Sequence, residues 1–174
     1  MQLQHNDAET HIQLTKTERL TLANQYKILE RLDPDEADYH AQCREILENG
    51  YTSQYSQLFQ NVFDEMPYDH CREVMAILDM YRCIKAAHLR LGDSSGLDSE
   101  KVSFRGFDGN EEGEHMGYAE FLIQKQKRWS ESSDAPLNSH WPMLPQYRAM
   151  LSRWKESANA HELTKDDIIR ILGS

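Results

Sequence analysis

Basic residues are scarce in this chain of 174 residues, with 19 Lys and Arg against 29 Asp and Glu and a formal net charge of −10. Phosphate backbones and anionic lipid surfaces are bound mainly through Lys and Arg, so this balance argues against a broad nucleic-acid or membrane face, leaving room only for a local basic patch. Long apolar runs are missing as well. No stretch approaches the roughly 18 uninterrupted apolar residues of a membrane-spanning helix, and the most apolar segment is broken by Asp79, Arg82, Lys85, His88 and Arg90. The cysteines are only three, Cys43, Cys71 and Cys83. An odd count without a secretory leader pattern points to a reducing compartment, and a soluble, cytoplasmic protein is expected. No fixed-period repeat, low-complexity tract, Gly-x-Ser-x-Gly elbow, phosphate-cradling glycine loop or Rossmann fingerprint is present. The commonest hydrolase and nucleotide signatures are thereby excluded. No cofactor and no metal are expected, and catalytic residues stay unassigned.

What is present is helix. Pro67 to Leu91 predicts a central helix of about 25 residues, roughly 37 Å long. Pro67 suits its first turn, Asp69 complements the dipole there, and Gly92 supplies the stop. Val74, Met75, Ile77, Leu78, Met80, Tyr81, Ile84, Ala87 and Leu91 spread apolar surface around most of its circumference, the pattern of a buried helix. Cys71 and Cys83 on that helix would stand about 18 Å apart, too far for a disulfide.

Residues 1–13 are polar and patternless, the composition of an extension, and residues 14–174 are expected to form one α-helical domain around helix 67–91. A first helix starts at the Thr15–Glu18 capping box and halts before Pro34. A second is expected over about Asp35 to Glu48, stopped by Asn49-Gly50. Tyr51 to Phe63 has aromatic and aliphatic residues at helical spacing and predicts a short buried helix, with an oligomer face as the equal alternative. Asp93 to Glu100 is a surface loop, and Lys101 to Phe107 an extended segment without a visible partner. A helix over about Gly109 to Lys127 is expected with Asp108 as N-cap, acidic at its start and basic at its end. Ser130 to His140 is a long polar loop. Pro142 to Lys155 predicts a further helix. The last helix starts at Thr164, with Asp167 at N3 and Leu163 placed to staple against Ile168, and ends at Gly173.

The segments Leu20-Thr-Leu-Ala-Asn-Gln-Tyr-Lys27, Asp33-Pro34, Asp79-Met-Tyr81, Gly106-Phe-Asp-Gly109, Tyr118 with Phe121, and Met143 with Tyr147, Met150, Leu151 and Trp154 together resemble the YfbU-like family of small bacterial proteins. The similarity spans Leu14 to Leu172. It implies a multihelical fold with buried central helices and a homo-oligomeric assembly, and it implies no particular activity.

Several constellations carry residues capable of chemistry. Asp108-Gly-Asn110-Glu-Glu112-Gly113 is similar to the first half of a calcium loop, but Ala119 stands at the twelfth position, where a bidentate Glu is required, so helix capping is the favoured reading. Glu112 and His115 form one Glu-x-x-His, half of a di-iron motif, with Glu36–His40 and His70–Glu73 as the only other helical pairs. His161-Glu162 lacks the second histidine of a zinc-protease helix. Cys71 lies near a helix start beside His70 and Arg72, where a thiol is activated, yet its spacing to Val74 turns it toward the apolar stripe. Lys125, Lys127 and Arg128 with Trp129 would suit a nucleic-acid backbone and a stacked base, against the plainer reading of a basic helix end followed by a core tryptophan. A structural or interaction role in a homo-oligomer is therefore the leading expectation. The alternatives are a hydrolase of nucleotides or nucleic acid using Glu112 and His115, and a regulatory binding module using the basic patch.

Overall fold

The computed structural model describes residues 12–92, 97–157 and 162–173. Among them the fold is all-α, with seven α-helices and a single isolated bridge in place of a sheet. The chain separates into two compact units, residues 1–65 and 66–174.

The first unit is a helical hairpin. Helix α1, Lys16–Leu32, opens on the expected capping box: the Thr15 hydroxyl accepts from the Glu18 amide, and the Glu18 carboxylate accepts from the Thr15 amide. Asp33 and a Pro34–Glu36 3-10 turn reverse the chain into α2, Ala37–Asn49, which Gly50 ends at φ 71°. The helices run antiparallel, because Arg19 near the start of α1 donates to the Leu47 carbonyl near the end of α2, while Glu30 near the end of α1 takes Arg44 Nε at 2.5 Å. Few side chains hold the unit together: Ala23, Cys43, Ile46, Leu47 and Tyr55 are its buried hydrophobics. Residues 51–63 correct the expectation of a buried helix. A 3-10 turn leads only into the single turn α3, Tyr55–Leu58, and Tyr51, Val62 and Phe63 are exposed at 48%, 71% and 87%.

The second unit is organised by α4, Tyr68–Leu91, as its sequence demands. Val74, Ile77, Leu78, Met80, Tyr81, Ile84 and Ala87 are buried, at roughly 1.5–3 kcal/mol for each large side chain. The burial is not all-round, since Arg72, Ala86, Leu89 and Arg90 face solvent. Against α4 pack α5, Gly113–Glu120, α6, Leu144–Lys155, and α7, Lys165–Leu172. Helix α7 carries the predicted Thr164–Asp167 box, and Leu163 and Ile168 are both fully buried, as a staple requires.

Two expected helices are shorter than their sequences suggest. The Gly109–Lys127 helix begins only at Gly113, because Asp108 uses its carboxylate on the Asn110 amide, forming a turn instead of capping a helix. It ends in a π-helical turn, Phe121–Lys125, after which Lys127 and Trp129 adopt φ 57° and 46° and throw the Trp129 ring back into the core. The Pro142–Lys155 helix starts at Leu144, with Pro145 in its first turn.

The extended segment 101–107 does find a partner. Phe107 donates to the Leu137 carbonyl at 2.9 Å and accepts from Ser139 at 3.0 Å, a two-bond parallel pairing with the long loop. Gly106, at φ 80°, is what lets the two backbones approach, since a β-carbon there would lie 2.3 Å from the Leu137 oxygen. Tyr147 locks the junction by donating to the Gly106 carbonyl at 2.8 Å and accepting from the Arg105 amide at 3.3 Å. Around it Tyr81, Phe104 and Phe107 form an aromatic cluster, with Tyr147 edge-on to Tyr81 and Phe107.

Candidate functional site

Three of the residues singled out in the sequence, His70, Glu73 and His115, meet in one partly buried knot between α4, α5 and α6. His115 on α5 and Glu73 on α4 meet at 3.3 Å, Nε2 to Oε2, and Arg148 on α6 grips the same carboxylate with two hydrogen bonds of 2.8 and 2.9 Å. The His70 ring lies 4.9 Å from the His115 ring, centroid to centroid, and its Nδ1 is 3.5 Å from Glu114. Phe107 closes the other side of His115 at 5.6 Å. Arg148 is the member that sequence reasoning missed. It stands 75 positions from Glu73, so no local spacing could have announced it.

Glu112 is buried beside this knot but does not join it. Its Oε2 accepts from the Asp108 amide at 3.0 Å and its Oε1 from the Leu144 amide at 2.7 Å. Leu144 is the first residue of α6, so its N–H is one of the donors that a helix start leaves orphaned. Glu112 caps α6 from a distance and clips the 108–112 turn to it. Both oxygens of the carboxylate are occupied by main-chain donors, which explains why the calcium-loop likeness and the Glu-x-x-His likeness do not develop into a ligand set. Among the described residues no three His, Cys, Asp or Glu are grouped to hold a metal ion. His40 turns to Asp33 at 3.3 Å and not to Glu36. His161 lies outside the described residues.

The electrostatics of the knot have a definite sign. The Arg148 hydrogen bonds hold the Glu73 carboxyl below its ordinary value, with His115 acting the same way against the cost of burial. Burial pushes the His115 imidazole below its usual 6.5, while Glu73 pulls the other way. A group with a depressed folded pKa binds fewer protons folded than unfolded, so stability rises with pH through that window. Acidification is expected to destabilise in two stages, first as the pH drops below 6.5 and unfolded His115 takes its proton, then below the ordinary carboxylate range as Glu73 does. Melting curves from about pH 7 down to about pH 2 check this. His115→Gln should flatten the upper stage and leave the lower one, and an unchanged upper slope would move that stage to other histidines.

The remaining candidates are also placed. Trp129 is buried, its Nε1 donating to Asp79 Oδ1 at 2.8 Å, with the Arg128 and Arg82 guanidiniums 4.4 and 5.2 Å from the ring centroid. It is a core anchor, so the stacking platform imagined for the basic patch is not exposed. Cys71 is half-buried with a free thiol, Cys43 is buried and free, and burial raises the half-buried Cys83 thiol above its usual range.

In the first unit the distinctive surface is on α1. Leu20, Ile28 and Leu32 are exposed at 63%, 57% and 74%, with Leu29 at 39%. Leu20, Asn24, Ile28 and Leu32 recur every four residues and form one continuous ridge of about 18 Å. Beside it runs a shallow groove lined by Asn24, Lys27, Ile28, Arg31 and Leu32. The sequence shows α1 as amphipathic, but only the structure reveals that this second apolar edge is left uncovered.

The YfbU domain model matches residues 12–174, and the chain belongs to the YfbU family.

Proposed function

We propose that this family member is a self-associating interaction protein of the bacterial cytoplasm, whose copies dock through the α1 ridge. The observation that carries the reading is the exposure of Leu20, Ile28 and Leu32 on one ridge of a two-helix unit that buries few side chains of its own. Helices gain most of their stability from packing an apolar face, and this hairpin has a face to spare. Tyr51, Val62 and Phe63 add exposed apolar surface to the same unit.

A second copy of this chain is the favoured occupant because the ridge is complementary to itself. In an antiparallel two-fold pairing centred on Tyr26, Leu20 lies opposite Leu32 of the partner subunit and Asn24 opposite Ile28 of the partner subunit. Such an isologous contact closes on itself. The ridge would form the apolar centre of a standard patch of about 800 Å² per partner, with the charged residues at its rim. The absence of a disulfide among the three cysteines supports a reducing compartment, and the family match from residue 12 supports an extension ahead of the helical domain that ends close to the expected residue 13.

The hydrolase alternative has less to stand on, since Glu112 is consumed by main-chain donors and His115 by Glu73. Native mass spectrometry of the wild type and of the Leu20→Glu, Ile28→Glu double variant at about 1 and 20 µM tests the proposal. A wild-type oligomer that the double variant reduces in subunit number, with helical circular dichroism unchanged, is the expected result. A monomeric wild type at the higher concentration, or identical masses for both proteins, would overturn it.

A further inference from the structure

We infer that a cleft between Arg105 and Trp141 in the second unit is a binding site for a planar aromatic anion, a flat ring carrying one carboxylate or phosphate group. The cleft encloses about 230 Å³, and Arg105, Asn138, Ser139, Trp141, Met143 and Gln146 are among its walls. Drug-sized pockets run from about 300 to 1,000 Å³. This one takes a single ring with its charged substituent and leaves the rest of the ligand in solvent.

Its parts match that chemistry one by one. Trp141 is 72% exposed, and among the described residues no ring stacks on it and its indole N–H has no acceptor. A free indole face beside a cleft is a stacking surface. Arg105 is exposed, and no carboxylate of the described residues lies within 4 Å of its guanidinium. In a chain with ten more acidic than basic residues, an arginine left unpaired in a cleft keeps its planar fork available for an incoming anion. Met143 adds an apolar wall, and the Gln146 amide brings a donor and an acceptor to the lining.

The cleft is also held rigid, which separates it from an incidental dent between loops. The segments carrying Arg105 and Trp141 are tied through the Phe107 pairing with Leu137 and Ser139. The Arg105 amide donates to the buried Tyr147 hydroxyl. Asn138 Oδ1 accepts from both the Gly109 and His140 amides, at 3.2 and 2.9 Å, and Ser139 Oγ donates to the Trp141 carbonyl at 2.6 Å. His140 is thereby kept at φ 56°, a left-handed conformation that a β-carbon disfavours. Strain maintained at the residue before an exposed tryptophan fits a surface set in advance for a ligand. Binding to such a site loses little to ordering the protein.

The test is titration of the full-length protein with adenosine 5′-monophosphate and with 2-naphthoate, followed by the Trp141 indole N–H resonance assigned through Trp141→Phe. Adenosine and inorganic phosphate serve as probes that each lack one half of the chemistry. The expected result is saturable shifts with at least one aromatic anion at about millimolar concentration, weaker or absent shifts with adenosine and with phosphate, and about tenfold loss of affinity in Arg105→Gln and, followed through the Ser139 backbone amide instead, in Trp141→Ala. Saturation by the nucleotide alone assigns a phosphate-bearing ligand, by naphthoate alone a carboxylate, and by both the shared chemistry. No shift with either anion, or equal affinity in Arg105→Gln with its melting temperature intact, would overturn the inference. These outcomes do not depend on subunit number, so they stand apart from the test of self-association.

Discussion

Gly106→Ala is expected to lower stability by about 3 kcal/mol or more, read as a fall in melting temperature of about 10 °C. Two costs add. An alanine at φ 80° occupies a backbone region that L side chains rarely adopt, worth about 1–2 kcal/mol. Its β-carbon would then meet main-chain atoms, the Leu137 oxygen and carbon at 2.3 and 2.4 Å and the Pro136 oxygen at 2.6 Å, none of which is the yielding end of a side chain. Relief requires the 106–107 and 137–139 segments to part, which stretches the two Phe107 hydrogen bonds and the Tyr147 bond to the Gly106 carbonyl. Thermal unfolding monitored by near-ultraviolet circular dichroism is the right readout, because Tyr147, Tyr81, Phe104 and Phe107 surround the junction. A loss under about 1 kcal/mol would mean that the pairing contributes little to the native state.

The second large effect concerns Glu112. Glu112→Ala is expected to cost about 3 kcal/mol, since it leaves the Asp108 and Leu144 amides without their acceptor in a buried setting and removes a negative charge from the start of α6. Glu112→Gln should cost about half as much, because one amide oxygen can still accept while the NH₂ group faces a donor. This ordering distinguishes the helix clip seen in the structure from the acid-base role that the sequence suggested. A helix clip is graded by acceptor count, whereas a proton-transfer group would lose its function equally in both variants and leave the melting temperature nearly unchanged. Urea unfolding of the three proteins decides between them.

The features that sequence reasoning captured are those whose causes are local. Both capping boxes need only a threonine and an acid three residues on, and both are present in detail, as are the start and stop of α4 at Pro67 and Gly92. The misplaced helix start at Gly113 has a non-local cause. Asp108 satisfies the local rule for an N-cap and does form a turn with Asn110, but Glu112 also holds the Leu144 amide, 32 positions away, and this fixes the turn ahead of Gly113. Glu73 and Arg148 likewise meet only through the packing of α4 on α6. The 51–63 segment fails for the opposite reason. Its helical spacing of Tyr51, Tyr55, Val62 and Phe63 is genuine, yet periodicity states which residues share a face and not whether anything covers it. The same blindness hid the α1 ridge. Trp141 and Arg105 carried no signal at all, being 36 positions apart and joined only by the Phe107 pairing.

The hairpin of α1 and α2 has a further consequence, in the order of events during synthesis. Its contacts are short-range, between residues close along the chain, so it can form as soon as residues up to about 50 have emerged, in microseconds to milliseconds. At ordinary elongation rates of about 5–20 residues per second, residues 66–174 take a further 5–20 s to appear. Throughout that interval the ridge of Leu20, Ile28 and Leu32 is complete while α6 and α7, against which α4 packs, are still to be made. Nascent chains on neighbouring ribosomes of one message would therefore present their docking surfaces to one another before the larger unit has begun to fold, and assembly would accompany translation instead of following it.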